Sequence, residues 1–395
     1  MTIVGIVGGG QLGLMTAEAA RNLGIACRLL VRPSDESAVG AGLDVMIADE
    51  VNGESLLALA ATVDVVTFDH EPVDLDAVAA LEASGMGTYP GAKVLQFSDK
   101  AFQRDAFRSS GLPVPRYRIV DTSIDYSAIE QLGDDLGWPL VIKVPRGGYD
   151  GRGVWMADNV DDALDVLAPL SGRVVVEEAL NLSSEISALI VRSRTGETAV
   201  FPIVDTVQRD GICHEVIAPS TLPPELVERA RALAIAVADV VGVVGVLAVE
   251  LFVVGSDLLV NEVAPRPHNS GHLTIEACSM SQYELHLRAV LGQPLQDPTM
   301  VVEHGVMVNV LGDGSVGATA PMPSITEVGG DAVGDPRCFV HLYGKTPRAG
   351  RKVGHVTAIG ADPAPLLAAA HAAAASAAID GRSTDRTGTR SVLDG

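Results

Sequence analysis

The chain has 395 residues, 50 acidic against 28 basic, with a formal net charge of -22 and a pI near 4.7. So acidic a surface repels nucleic acid and anionic membranes, so an anionic ligand needs a local cluster of cations. With 47% hydrophobic residues and four cysteines, Cys27, Cys213, Cys278 and Cys338, none in a C-x-x-C pair, the chain predicts two or three cored domains with reduced, cytosolic thiols and excludes a disulfide framework or cysteine zinc site.

Residues 3–24, IVGIVGGGQLGLMTAEAARNLG, read as strand, glycine turn and amphipathic helix. Nothing before them has the basic, apolar and cleavage regions of a secretory leader. Gly8, Gly10 and Gly13 satisfy G-x-G-x-x-G, and the turn would aim backbone N–H groups at an anion. A dinucleotide enzyme would close the next strand with an acid, where this chain has Arg32, with Asp35 a poor substitute. A further strand at 63–71 continues a parallel α/β domain to about residue 98.

SDKAFQRDAFRSSG, residues 98–111, is a capped helix whose Lys100 either meets a nucleotide phosphate or is solvated. Lys143 then sits in an apolar strand ahead of Gly147-Gly148-Tyr149-Asp150-Gly151-Arg152-Gly153, and a second strand opens at Val154. A loop that returns to a strand is not a Walker loop. It reads as a flap over a triphosphate with Lys143 and Arg152 as counter-charges, or as an exposed hairpin turn. Glu177 and Glu178 end a β-branched run before Leu180, and Glu185 opens the next strand. A strand end of this kind suits an adenine pocket, although acids at strand ends are commonly just hydrated.

A helix from about Pro224 to Val241 precedes VLAVELFVVGSDLLVNEVA, two apolar runs around Gly255-Ser256-Asp257. The apolar stretch Leu233–Val254 is interrupted by Asp239, Gly242, Gly245 and Glu250, so a helix and a buried strand explain it better than a membrane span. If Val254 and Leu258 close the hairpin, Glu250 faces Glu262 at about 5 Å. Two carboxylates so placed call for a shared proton or a cation, and hard oxygen ligands without Cys or His nearby suit Mg²⁺. An edge carboxylate facing solvent, or a register slip, is the alternative. Pro265-Arg266-Pro267-His268-Asn269-Ser270-Gly271-His272 then gathers guanidinium, imidazole, amide and hydroxyl, a set fitted to a small oxyanion; the plain reading is a loop with a stray histidine. From about residue 300 short β-like pieces follow, and Lys345, Arg348, Arg351 and Lys352 form either a phosphate site or a solvated basic turn. Residues 363–379 predict an alanine-rich helix, and the last residues a frayed tail.

The flap, the glutamate pair and the polar loop together resemble ATP-grasp enzymes, and more closely the N5-carboxyaminoimidazole ribonucleotide synthetase family, from GGGQLG through KVPRGGYDGRG and EVAPRPHNSGH to RAGRKVGH. That resemblance implies an α/β and α+β architecture, an ATP-grasp fold with a Rossmann-like, biotin-carboxylase-like domain at 1–98, a nucleotide domain at 99–298 with its flap at about 118–185, and a small β-rich domain at 299–395. It implies ATP contacts at Lys100, Lys143, Gly148, Tyr149, Asp150, Gly151, Arg152, Gly153, Val154, Glu177, Glu178, Leu180, Glu185, Gln208, Asn261 and Glu262, with Mg²⁺ on Glu250 and Glu262. Arg266, His268, Asn269 and Lys345 are implied at the chemistry, and Tyr149, Asp150, Arg266, Ser270, Lys345, Arg351 and Lys352 at 5-aminoimidazole ribonucleotide. The substrates implied are ATP, bicarbonate and that nucleotide, and the setting a cytoplasmic homodimer. Gln208 stands where many relatives have histidine, and Asp69-His70-Glu71 where many have paired glutamates. The rival readings are a formate-using glycinamide ribonucleotide transformylase, an NAD-dependent oxidoreductase on the N-terminal glycine turn, and a noncatalytic nucleotide sensor.

Overall fold

The fold is that of a computed structural model, which describes residues 2–148, 151–312, 314, 322–330 and 334–380. Tyr149, Asp150 and the tail beyond 380, all singled out in the sequence, lie outside the described residues.

Near-continuous apolar runs make the first sheet, because a parallel sheet is covered on both faces. Its five parallel strands lie in the order Val45–Ile47, Ala26–Val31, Ile3–Val7, Val65–Phe68, Gly87–Tyr89. Val4, Ile6, Leu29 and Val31 pack on Leu12 and Met15 of the first helix, while Val7, Leu30, Val66 and Phe68 pack on Leu56, Leu59 and Leu81 from the other side. The glycine turn departs from expectation. Its anion is internal: the Asp69 carboxylate accepts from Gly10 N–H at 2.8 Å and Gly13 N–H at 3.3 Å. A Cβ on Gly8, which sits at φ +111°, would lie 1.7 Å from Asp69 Oδ1. The turn therefore has no free cradle for a dinucleotide phosphate, a correction to the motif reading that spacing alone could not supply.

Asp99 caps the next helix, Lys100–Ser109, accepting from Ala101 and Phe102 N–H. A four-stranded antiparallel sheet follows, ordered Tyr117–Asp121, Arg173–Glu178, Leu140–Lys143, Val154–Ala157 and backed by helices Tyr126–Leu136 and Val160–Leu167. Opposite it runs a ten-stranded sheet. From its edge the order is Asp257–Ala264, Gly245–Val254, Ser184–Arg192, Val204–Arg209, Ile212–Ala218, His304–Leu311, Lys352–Gly360, Arg337–Leu342 and Ser324–Gly329, with Thr198–Val200 pairing beside Ser184–Arg192. The sheet thus passes without a break from the middle of the chain into its C-terminal part.

Alternation along Gly245–Val254 decides what each face does. Leu247, Val249, Leu251 and Val253 bury against Ala230, Ala234 and Val237 of helix Pro224–Val241, which ends at Gly242 in the left-handed region. Glu250 and Phe252 take the other face. The helix Pro363–Asp380 covers the C-terminal strands through Leu366, Ala370 and Ala374, one turn apart. Among the described residues no helix is long and apolar enough to cross a membrane.

The hairpin itself is closed one residue earlier than its sequence suggests. Val254 pairs with Asp257 across a two-residue Gly255-Ser256 turn, with Gly255 at φ +60°. A bulge at Asn261 then adds one residue, and Glu250 faces Glu262 after all. The expected pair is present, but through a tighter turn and a bulge, not through the three-residue loop.

Candidate active site

The transverse row Glu262, Glu250, Ser187 crosses three strands of the large sheet, and Glu185 lies two residues from Ser187 on the same face. Helix Lys100–Ser109 lies along the edge strand: Gln103 Oε1 accepts from Val263 N–H at 3.1 Å, and the Arg104 guanidinium donates to Asn261 O at 2.6 Å. Lys100 is carried there to pair with Glu262. From the opposite sheet Lys143, only 7% exposed, reaches Asn261 Oδ1 at 3.3 Å and the Glu177 carboxylate at 2.7 Å, and Arg104 holds the other Glu177 oxygen at 2.5 Å. Lys143 also stands 5.7 Å above the Phe252 ring.

Burial and charge set the protonation states. Burial would raise the Glu177 carboxyl, but Lys143 and Arg104 outweigh it and hold it at about 2. Burial and the neighbouring Lys143 pull Lys100 down to about 8, and burial lowers Lys143 against the pull of Glu177. Glu185 is pushed up to about 7, by burial first and by Glu250 second. Glu178 points to the other side of its strand and pairs with Arg116 at 2.8 Å, so the two neighbouring glutamates do not share a pocket.

Beyond the row lies the polar loop. His268 Nε2 is 3.4 Å from Glu250 Oε1, bringing an imidazole to the carboxylate pair where none was expected from sequence spacing. Its Nδ1 accepts from Ser270 N–H, which leaves Nε2 as the N–H donor. Burial, then Arg266 and Lys352, hold this imidazole neutral, with its pKa at about 3. Arg266 pairs with Glu71 at 2.8 Å, and Lys345 meets Gln11 beside the glycine turn. Arg351 pairs with Glu36 at 3.0 Å, and Thr346 N–H donates to the same carboxylate at 2.8 Å. Burial and Arg351 draw Lys345 down to about 8. The cations of the polar loop and of the basic segment therefore meet along the rim of the N-terminal sheet, where Glu36, Asp69 and Glu71 face them.

The flap folds over from the smaller sheet. Gly151 lies so close to the Asp210-Gly211 turn of the large sheet that a Cβ on Gly211 would come within 2.4 Å of Gly151 Cα. Gly148 and Gly153 lie close across the loop, a Cβ on Gly153 falling 3.4 Å from Gly148 Cα, and Val144 N–H donates to Gly153 O at 2.9 Å. Gln208 stands at a bulge beside this turn, and Leu180 just past the end of strand Arg173–Glu178.

Sequence reasoning missed the side chains that aim the site. Gln282 grips the His268 backbone at both N–H (2.8 Å) and C=O (2.7 Å), Ser187 meets Ser270 Oγ at 2.7 Å, and Asn309 pairs with Asn269. Arg104 is one of several charges in SDKAFQRDAFRSSG, yet it is 1% exposed. The only hint was the large polar alternation of that helix, whose buried face carries Gln103 and Arg104 between apolar residues.

Residues 1–99 match a ribonucleotide synthetase preATP-grasp domain, 105–283 an ATP-grasp domain, and 305–369 a phosphoribosylaminoimidazole carboxylase C-terminal domain. The chain is 45% identical over 379 residues to the N5-carboxyaminoimidazole ribonucleotide synthase of Mycobacterium tuberculosis (strain ATCC 25618 / H37Rv), covering 94% of this chain and 87% of the relative. To the protein of that name from Bacillus subtilis (strain 168) it is 34% identical, covering 90% of each. The crystal structure of an ADP complex of N5-carboxyaminoimidazole ribonucleotide synthetase superposes with a TM-score of 0.82 at 32% identity, covering 96% of this chain and 97% of the other. An Aspergillus clavatus synthase in complex with ADP and 5-aminoimidazole ribonucleotide gives a TM-score of 0.80 at 27% identity, over 96% and 98%.

Proposed function

The chain belongs to the N5-carboxyaminoimidazole ribonucleotide synthase family, and on that footing we propose how its cleft works as an ATP-dependent ligase of purine biosynthesis. ATP and bicarbonate carboxylate the amine of 5-aminoimidazole ribonucleotide, with ADP and phosphate released. The observation that carries the reading is the Glu250–Glu262 pair, set between Lys100 and Lys143 on one side and His268 on the other.

The donor set fits magnesium. Two opposed carboxylates, Glu250 and Glu262, are hard ligands, and Mg²⁺ typically takes one or two carboxylates and completes its shell with water and phosphate oxygens. When bound there, Mg²⁺ supplies charge neutralisation to the phosphoryl groups.

Bicarbonate is a poor electrophile, since the negative charge on its oxygens shields the carbon and hydroxide leaves badly. Attack by a bicarbonate oxygen on the γ-phosphorus breaks the bond to ADP and turns hydroxide into phosphate as the leaving group. Lys143 faces the charge that develops on the phosphoryl oxygens, held in place by Glu177. Arg266, the Nε2–H of neutral His268 and the Asn269 amide hold bicarbonate in line. The amine of the ribonucleotide, anchored through its phosphate by Lys345, Arg351 and Lys352 with Ser270 beside it, then attacks the carboxyl carbon; phosphate departs and takes up the amine proton. The flap, with Gly148, Gly151, Arg152, Gly153 and Val154 over the nucleotide, keeps water from the carboxyphosphate. Gln208, Leu180 and Glu185 complete the nucleotide pocket in this reading, whereas the Glu178 side chain, turned away to Arg116, takes no part in it. The domain division at 98 and 298, the homodimer and the cytoplasmic setting belong to the same proposal, and light scattering of the purified chain tests the second.

ADP formation with each acceptor tests the activity. We expect release only with bicarbonate and 5-aminoimidazole ribonucleotide together; formate with glycinamide ribonucleotide giving equal turnover would favour the transformylase reading. ATP binding with no ADP release under any combination would favour a sensor. The oxidoreductase reading is disfavoured because Asp69 already takes the N–H groups of the glycine turn.

Glu185 adds a prediction. Its carboxyl sits near 7 partly because Glu250 is charged beside it. A cation on Glu250 removes that repulsion, so the Glu185 pKa falls and a proton leaves. Binding of magnesium and ADP at pH 6.5–7 is therefore expected to release protons, seen in calorimetry as a heat that depends on the buffer's ionisation enthalpy; Glu185→Gln should reduce that dependence.

A further inference from the structure

The C-terminal strands carry a polar row that the mechanism above does not use. Asn309 pairs across strands with His355, and His355 with His341, so the three side chains cross the sheet on one face. All three are buried. The end of the polar loop and the short helix after it lie over this row residue by residue. Asn269 bonds Asn309, the His272 ring lies tilted with its centroid 4.7 Å from that of His355, and Glu276 meets His341 Nε2 at 2.7 Å.

The first rung has a direction. Asn309 Nδ2 donates to the backbone carbonyl of Cys213 at 2.9 Å and to Asn269 Oδ1 at 2.8 Å, and Asn309 Oδ1 accepts from Asn269 Nδ2 at 2.9 Å. A carbonyl can only accept, so Cys213 fixes which end of the Asn309 amide is nitrogen. Asn309 in turn fixes Asn269, whose oxygen and one N–H are taken, leaving a single N–H to offer. A free asparagine amide can present either end to a ligand; this one is held with its orientation decided two groups away.

We propose that Asn309 is a positioning residue for the carboxylation, orienting the Asn269 amide so that it presents an N–H to bicarbonate. The inference rests on the reading of Asn269 as a bicarbonate ligand. It also gives the strand His304–Leu311 a role in the chemistry, although none of its residues reaches the reacting atoms in this proposal.

The test is a double-mutant cycle with Asn309→Leu, Asn309→Thr and Asn269→Ala, read as ADP formation dependent on bicarbonate and 5-aminoimidazole ribonucleotide. Asn309→Leu should lower kcat about tenfold to a hundredfold, the usual scale for losing a group that orients a ligand. Asn309→Thr, which keeps a hydroxyl able to donate, should lose less. KM for ATP should not move in either, and adding Asn309→Leu to Asn269→Ala should cost nothing further. Thermal melting verifies that each variant is folded, and Asn309→Thr carries the same comparisons if the leucine variant does not fold. Wild-type turnover in the Asn309 variants with an impaired Asn269→Ala overturns the positioning role and leaves the reading of Asn269 standing. Losses that add in full, or a shift in KM for ATP as large as that in kcat, overturn it as well. Full activity in Asn269→Ala removes the reading and the proposal together.

Discussion

Glu262→Ala is expected to lower ADP release dependent on bicarbonate and 5-aminoimidazole ribonucleotide by about a thousandfold or more. The residue stands at the edge of the sheet opposite Glu250 and against Lys100. Its removal takes away one of two proposed magnesium ligands and leaves Lys100 with Glu250 as the nearest remaining member of the pair, so the cation that should neutralise phosphate instead occupies the other carboxylate. Glu262→Gln keeps the shape and an oxygen but not the charge. It should fall nearly as far if the residue is a metal ligand, and little if its part is only to tether Lys100 by a hydrogen bond. Raising the magnesium concentration should recover part of the loss in Glu262→Gln. Unchanged turnover of Glu262→Ala at ordinary magnesium would rule out the metal assignment.

Local pattern and composition already carry much of the fold. The β-branched runs, the glycine turn at 8–13, the capped helix after residue 99 and the alanine-rich helix are all local features, and each stands where its pattern predicts. Glu250 facing Glu262 was legible because strand periodicity is two and the turn short, although a bulge at Asn261 was needed to keep the register. What stayed hidden depends on partners far apart in the chain. Nothing near Gly10 announces Asp69, 59 residues later, as the anion in its turn. Asn309 sits in an apolar run, VMVNVLG, that reads as an ordinary strand; only when the sheet continues into the C-terminal part does it meet Asn269. His268 was legible as a polar group in a donor-rich loop, but its approach to Glu250 requires the loop to fold back over its own hairpin.

Glu177→Ala should cost about 3–5 kcal/mol of stability at neutral pH, because it strands two buried cations. Lys143 and Arg104 each hold one oxygen of a carboxylate that is itself 2% exposed. Linkage gives a second route to the same magnitude. The carboxyl titrates at about 2 in the fold against 4.5 for the free group, a difference worth roughly 3 kcal/mol. A depressed acid contributes that stability above the unfolded value and loses it as pH falls toward the folded one, so the gap between wild type and variant in urea unfolding should be full near pH 7 and shrink between about 4.5 and 2. Catalysis should report the same loss separately in Glu177→Gln. Without the carboxylate, Lys143 keeps the burial that already lowers its pKa and loses the foremost influence raising it. Its charge then disappears at lower pH, and the alkaline limb of the kcat profile should move toward neutrality. A variant that unfolds at the wild-type urea midpoint, with the alkaline limb in place, would mean that the triad neither braces the two sheets nor tunes the lysine that faces the phosphoryl group.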